Sequence, residues 1–158
     1  MKKSTQQTIE PWSVSMTPEL VFRIGSQIAG IGWLTLIFAG KFRFVPTILC
    51  KFLIPGSIAI LYSALILTHW AGHPGGFGSL TAVQQLFTDP WIVAAGWLHY
   101  LAFDLFLGAW QVRESQRFGI GHLWVVPCLV ATFLFGPMGY LSFLLLRLIR
   151  SEVNQHEK

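Results

Sequence analysis

Long apolar runs with only short polar breaks constrain this chain more than any single residue does. They lie at about Glu19 to Gly40, Phe52 to Trp70, Trp91 to Gln111 and His122 to Leu146. Each is about as long as the roughly 20 residues an α-helix needs to cross a bilayer's hydrocarbon core. Backbone N–H and C=O groups in lipid must be satisfied within their own segment, so such runs are helices. The expected fold is therefore all-α: an integral membrane bundle of four transmembrane helices, with a short interfacial helix between spans 2 and 3. Charged residues are only 11% of the chain, whereas a water-exposed surface needs roughly a quarter. The domain plan is a polar N-terminal tail (1–16), a single four-helix domain (17–150) and a polar C-terminal tail (151–158). The N-terminal tail lacks the apolar core of a signal peptide.

Local signals sharpen this plan. Pro18 suits the first turn of span 1, and Gly25, Ala29 and Gly32 repeat at helical spacing. Such a small-residue stripe serves close packing, either inside the bundle or in a homo-oligomer. His73-Pro74-Gly75-Gly76 ends span 2. Ser79 to Thr88 is too short to cross and reads as an interfacial helix capped by Ser79. Pro127 and Gly136-Pro137-Met138-Gly139 predict a kink in span 4, or a helix in two pieces.

Four spans put both termini on one side. Lys41, Arg43, Lys51, Arg113 and Arg117 then flank one face, and Lys2, Lys3, Arg147, Arg150 and Lys158 the other. The positive-inside rule does not choose between these orientations. The net charge of +4 belongs to membrane-flanking residues, which argues against nucleic acid as a partner. Cys50 and Cys128 form no CxxC pair, so neither a disulfide framework nor a zinc site is indicated.

Polar residues at membrane depth are the functional candidates. Asp104 lies about thirteen residues into a span of roughly twenty, where a charge costs about 2.5–3.5 kcal/mol. It has to be neutral, paired, or facing a polar cavity. Trp97, Tyr100 or Leu101, Asp104, Gly108 and Gln111 share one stripe of the helix, suited to a pocket inside the bundle. His99 stands about 140° from Asp104, at about 100° per residue, so the two could border one cavity only from adjacent walls. Together they are an acid–base pair in principle, and either could instead be a structural hydrogen-bonding residue. Arg23 either snorkels to the interface or turns inward toward Asp104. His69 and His73, four apart, are weak metal candidates, and with His99 or His122 weak haem ligands; no metal or cofactor is assigned.

The stretch Gly96-Trp97-Leu98-His99-Tyr100-Leu101-Ala102-Phe103-Asp104-Leu105-Phe106 resembles the signature of the ABA4-like family. Phe135-Gly136-Pro137-Met138-Gly139, Gly78-Ser79-Leu80 with Val83 and Leu86-Phe87, and His122 to Pro127 fit the same pattern. The resemblance covers most of residues 46 to 147 and implies a four-helix membrane protein. Plant members are associated with neoxanthin formation, in which a carotenoid epoxide is isomerised to an allenic alcohol. A short chain with no transit peptide suggests a bacterial member in the inner (cytoplasmic) membrane.

Such an isomerisation needs a proton donor and an acceptor but no redox cofactor. A carboxyl held away from water can keep its proton near neutral pH, and a histidine can accept or relay one. The resulting expectation is an isomerase-like enzyme acting on a carotenoid or related isoprenoid lipid. Asp104 and His99 are its catalytic residues. Trp97, Tyr100, Phe103, Gly108, Gln111, Arg23 and His122 are its substrate-binding residues. The alternatives are a non-catalytic lipid- or pigment-binding protein that supports a partner enzyme, and a haem or metal bundle.

Overall fold

The computed structural model describes residues 16–42 and 44–156. Of the expected N-terminal tail, only Met16 falls among them; the rest, and Arg43, lie outside the described residues. The protein is an all-helical membrane protein. Its helices are α1 (Pro18–Ala39), α2 (Ile54–His69), α3 (Leu80–Leu86), α4 (Pro90–Arg117), α5 (His122–Phe135) and α6 (Pro137–His156). A π-helical segment, Val45–Leu53, leads into α2 without a break. Three stretches among the described residues are long and apolar enough to cross a bilayer: Pro18–Ala39, Ile48–His69 and Pro90–Arg117.

Helix starts follow the capping chemistry. The Thr17 hydroxyl accepts from the Leu20 amide at 3.2 Å. Asp89 Oδ1 accepts from the Trp91 and Ile92 amides at 2.7 and 3.2 Å, and Pro90 occupies the first turn, where its missing N–H is no loss. Asp89 Oδ2 also pairs with His73 at 3.2 Å, which ties the loop after α2 to the start of α4. Ser79 caps α3 through the Ala82 amide at 3.1 Å, and α3 is the short helix expected between spans 2 and 3.

The longest helix, α4, is the hub, packed against every other long element. Its fit to α1 explains the small-residue stripe. A Cβ on Gly25 would stand 2.2 Å from a Leu98 methyl, and one on Gly32 2.6 Å from a Leu105 methyl. The stripe is used inside the bundle, where it lets two leucines of α4 sink against the backbone of α1. Arg113, Glu114 and Arg117, expected in a link, occupy the last turns of α4. With 28 residues, about 42 Å, the helix is longer than the roughly 30 Å hydrocarbon core and carries these charges at its end.

The fourth apolar segment is two pieces, divided at Gly136, and they lie side by side. The Arg150 guanidinium sits 4.2 Å from the Trp124 ring centroid, whereas one straight helix would hold these residues about 39 Å apart. Arg147 reaches back to Glu114 at 3.3 Å and over the Phe118 ring at 5.1 Å. α5 and α6 are therefore an antiparallel hairpin that returns to the end of α4 from which it left. α5 has 14 residues, about 21 Å, short of the roughly 30 Å core. The two pieces anticipated at Gly136-Pro137 are present. The hairpin begins and ends at the same end of the bundle, so the C-terminal end of α6 lies beside the end of α4.

The hairpin closes tightly for local reasons. Gly136 has φ +43°, in the left-handed region that glycine tolerates without steric cost. Its amide donates to the Thr132 carbonyl at 2.8 Å, and its carbonyl accepts from the Tyr140 amide at 3.2 Å. A Cβ on Gly139 would come within 2.1 Å of the Thr132 backbone nitrogen, so only glycine permits the two helices to touch there.

Candidate functional site: a carboxyl at the hairpin tip

Asp104 lies halfway along α4, and the tip of the α5–α6 hairpin covers it. A Cβ placed on Gly136 would stand 3.0 Å from Asp104 Oδ1 and 3.2 Å from Oδ2. Backbone without a side chain thus approaches the carboxyl directly. Asp104 is only 9% exposed, and its Oδ2 is buried with no hydrogen-bond partner among the described residues. Buried polar atoms nearly always have partners, and leaving one without costs about 1–3 kcal/mol. This atom is the clearest anomaly among the described residues.

Tyr100, one turn earlier on α4, lies beside the carboxyl; its hydroxyl donates to the Phe133 carbonyl at 3.1 Å. Trp97 stacks on Tyr100 at 5.5 Å and on Phe22 at 5.2 Å, and donates from Nε1 to Ser26 Oγ at 2.9 Å. Phe133 meets the Trp33 ring edge-on at 5.5 Å. Phe22, Trp97 and Phe133 are each more than a third exposed. An aromatic strip therefore runs along the α1–α4 seam to the buried carboxyl.

Further along the same face of α4, Gln111 and Ser115 are fully buried. Gln111 Nε2 donates to Thr132 Oγ1 at 2.8 Å, and Thr132 also bonds the Cys128 carbonyl at 2.8 Å. Both groups are satisfied, so Gln111 fastens the hairpin to α4 rather than facing a ligand. Gly108 does similar work, since a Cβ there would meet the Trp33 ring at 2.9 Å.

His99 leaves α4 on another side. Its ring stacks on Phe103 at 4.6 Å and lies 5.6 Å from Tyr62 of α2. It lines a cavity of about 320 Å³ beneath α3, together with Trp70, Phe77 and Phe87. The structure brings Asp104, Tyr100 and Trp97 together and separates them from His99 and Phe103.

The remaining candidates have structural partners or none nearby. Arg23 is exposed on α1 and pairs with no carboxylate among the described residues. His122 Nε2 bonds the Ile37 carbonyl at 2.9 Å, and Gln116 donates to the Gly40 carbonyl at 3.0 Å. Together they satisfy carbonyls left open at the C-terminal end of α1. His69 stacks on Trp91 at 4.5 Å while His73 pairs with Asp89, so the two do not converge. Among the described residues no cluster of three or more His, Cys, Asp or Glu could hold a metal ion.

Gly136, Thr132 and Phe133 belong to this site without having been singled out as candidates. The Gly136-Pro137-Met138-Gly139 break signalled a bend, but nothing local to it indicated that the bend would meet Asp104.

In comparison with known proteins, a family model described as ABA DEFICIENT 4-like matches residues 20–143. No curated protein and no solved structure matches the chain.

Proposed function

This chain belongs to the ABA4-like family, and from that premise we propose that it is a cofactor-independent intramembrane isomerase of an isoprenoid lipid. Family membership suggests a carotenoid-related role, which makes a carotenoid the leading substrate class. The observation that carries the reading is the buried oxygen of Asp104 that has no hydrogen-bond partner among the described residues, set at the end of an aromatic strip that an elongated apolar molecule can lie along.

Isomerisation removes a proton from one atom and delivers one to another, with no net oxidation. A single carboxyl can do both: the oxygen bearing the proton donates while the other accepts. For an epoxide, donation goes to the ring oxygen as its C–O bond breaks, and acceptance is from a carbon along the chain. Substrate and carboxyl each end with the protons they began with, relocated. Tyr100, held by the Phe133 carbonyl, is a positioning residue that fixes the approach to the carboxyl. His99 lies on a different side of α4, so Asp104 takes both proton-transfer roles here.

The test is Asp104→Asn in the purified full chain, assayed with a carotenoid epoxide in mixed vesicles. Conversion should fall to background while the protein stays folded and still retains pigment. Full conversion by this variant would discard the proton-transfer role.

The cavity under α3 favours a second reading, a non-catalytic pigment or lipid carrier, because it is lined by aromatic rings and His99 at a distance from the carboxyl. On that reading neither the wild type nor the Asp104 variant converts the epoxide, and pigment retention is lost on filling the cavity with Gly96→Trp.

A further inference from the structure

The hairpin redistributes the charges of this chain. Arg147 and Arg150 are folded back to the end of α4 that carries Glu114, so they join Lys41, Lys51, Arg113 and Arg117 on one face. Among the described residues only Arg23 lies elsewhere. Glu114 is already paired with Arg117 and Arg147, and Glu152, two residues beyond Arg150 in α6, adds one more carboxylate toward that end. The face has surplus positive charge at headgroup level, where it meets anionic lipid.

One of these cations is placed differently from the rest. Lys51, half-buried, stands over the rings of Phe52 at 5.0 Å and Phe106 at 5.8 Å, with no carboxylate partner among the described residues. It heads a groove of about 350 Å³ between α2 and α4. Gly56, Ala59 and Ala102 form part of this groove, whose lining is otherwise apolar. From Lys51 to Ala59 the groove follows about 12 Å of helix toward the bilayer centre. A charge at the interface and an apolar channel leading inward from it match the two ends of one kind of molecule.

We propose that this groove is a binding site for an acidic phospholipid of the leaflet on the basic face. Its phosphate meets the Lys51 ammonium, and one acyl chain lies between α2 and α4. Small residues leave room for the chain, Phe52 and Phe106 wall it, and their faces hold the ammonium at the groove mouth by cation–π attraction. The site does not involve Asp104, so it stands or falls independently of the isomerase reading.

The full chain in detergent, titrated with phosphatidylglycerol or phosphatidylcholine and read by native mass spectrometry, tests this. The wild type should prefer phosphatidylglycerol. Lys51→Gln should weaken retention of that lipid about fivefold, as expected for one interfacial cation, and bring it close to phosphatidylcholine. Lys51→Arg should restore the preference. Ala59→Trp should reduce retention of both lipids by occupying the chain's path. Arg117→Gln, on the same face but outside the groove, and Asp104→Asn should leave the preference intact. A preference that survives Lys51→Gln, or that falls equally with Arg117→Gln, overturns the site in favour of general attraction to the basic face.

Discussion

On the side of α4 that meets the hairpin, polar groups are buried and helices press backbone to backbone. Gln111 and Thr132 are fully enclosed and bonded to each other, and Asp104 is enclosed with one oxygen unbonded. On the side that meets α2 and α3, His99 and Phe103 are exposed and stacked, and the space between helices forms two apolar hollows. The first side is close-packed, so a single unsatisfied atom stands out as something retained at a cost. The second is loosely packed, and its polar ring, His99, is stacked on Phe103 rather than enclosed. Chemistry needs the first kind of setting, where a proton donor is shielded; holding a lipid chain needs only the second.

Substitutions can break this contrast. The largest effect is expected at Gly139, where any Cβ collides with the Thr132 backbone. Gly139→Leu should separate α5 from α6 and cost about 3 kcal/mol or more, seen as loss of a cooperative thermal transition in detergent. Gly136→Ala should act in the same direction through its positive φ and its contact with Asp104. If both variants melt like the wild type, the hairpin is not what encloses the carboxyl.

The hairpin also makes an all-or-none statement about topology. The contacts of α1 and α6 with α4 put the N-terminal end of α1 and the C-terminal end of α6 at opposite ends of the bundle. The basic face, with the α6 end, should be cytoplasmic by the positive-inside rule. Reporter fusions at the two ends should therefore give opposite signals; identical signals would restore a fourth crossing.

Smaller effects sharpen the comparison. Gln111→Leu removes the bond to Thr132 but leaves Thr132 joined to the Cys128 carbonyl, so the cost should be about 0.6–1.7 kcal/mol, in the range of interhelical bonds in membranes. A thermal shift in detergent checks it. His99→Leu, on the open side, should change stability by about 0.5 kcal/mol or less and leave conversion dependent on Asp104. Loss of conversion in that variant would put His99 back into the chemistry.

Much of this arrangement was legible in residue order. The long apolar helices, the cap at Ser79 and the short α3 all follow from local rules about apolar runs, proline and side-chain acceptors. Asp104 was legible because a carboxyl in hydrocarbon is anomalous wherever the helix goes. The separation of His99 from Asp104 was implicit in their spacing, since a helix fixes the angle between its own side chains. The partners of those side chains were not legible. His122 looked like a ligand and serves to satisfy the end of α1; Gln111 looked like a pocket residue and serves as a fastener. A sequence marks a polar residue as costly without naming the neighbour that offsets it.

Periodicity and hydropathy by themselves determined that this chain is a helical membrane protein with one carboxyl where lipid disfavours it, because those properties are local to each segment. Only the tertiary structure decided that the last segment doubles back on itself. That return brings Arg147 and Arg150 to the basic face and sets Gly136 against Asp104. The physical reason is that a glycine break permits both a bend and a full reversal. Which of them occurs depends on contacts such as Arg150 with Trp124 and Gln111 with Thr132, made between residues far apart in the chain.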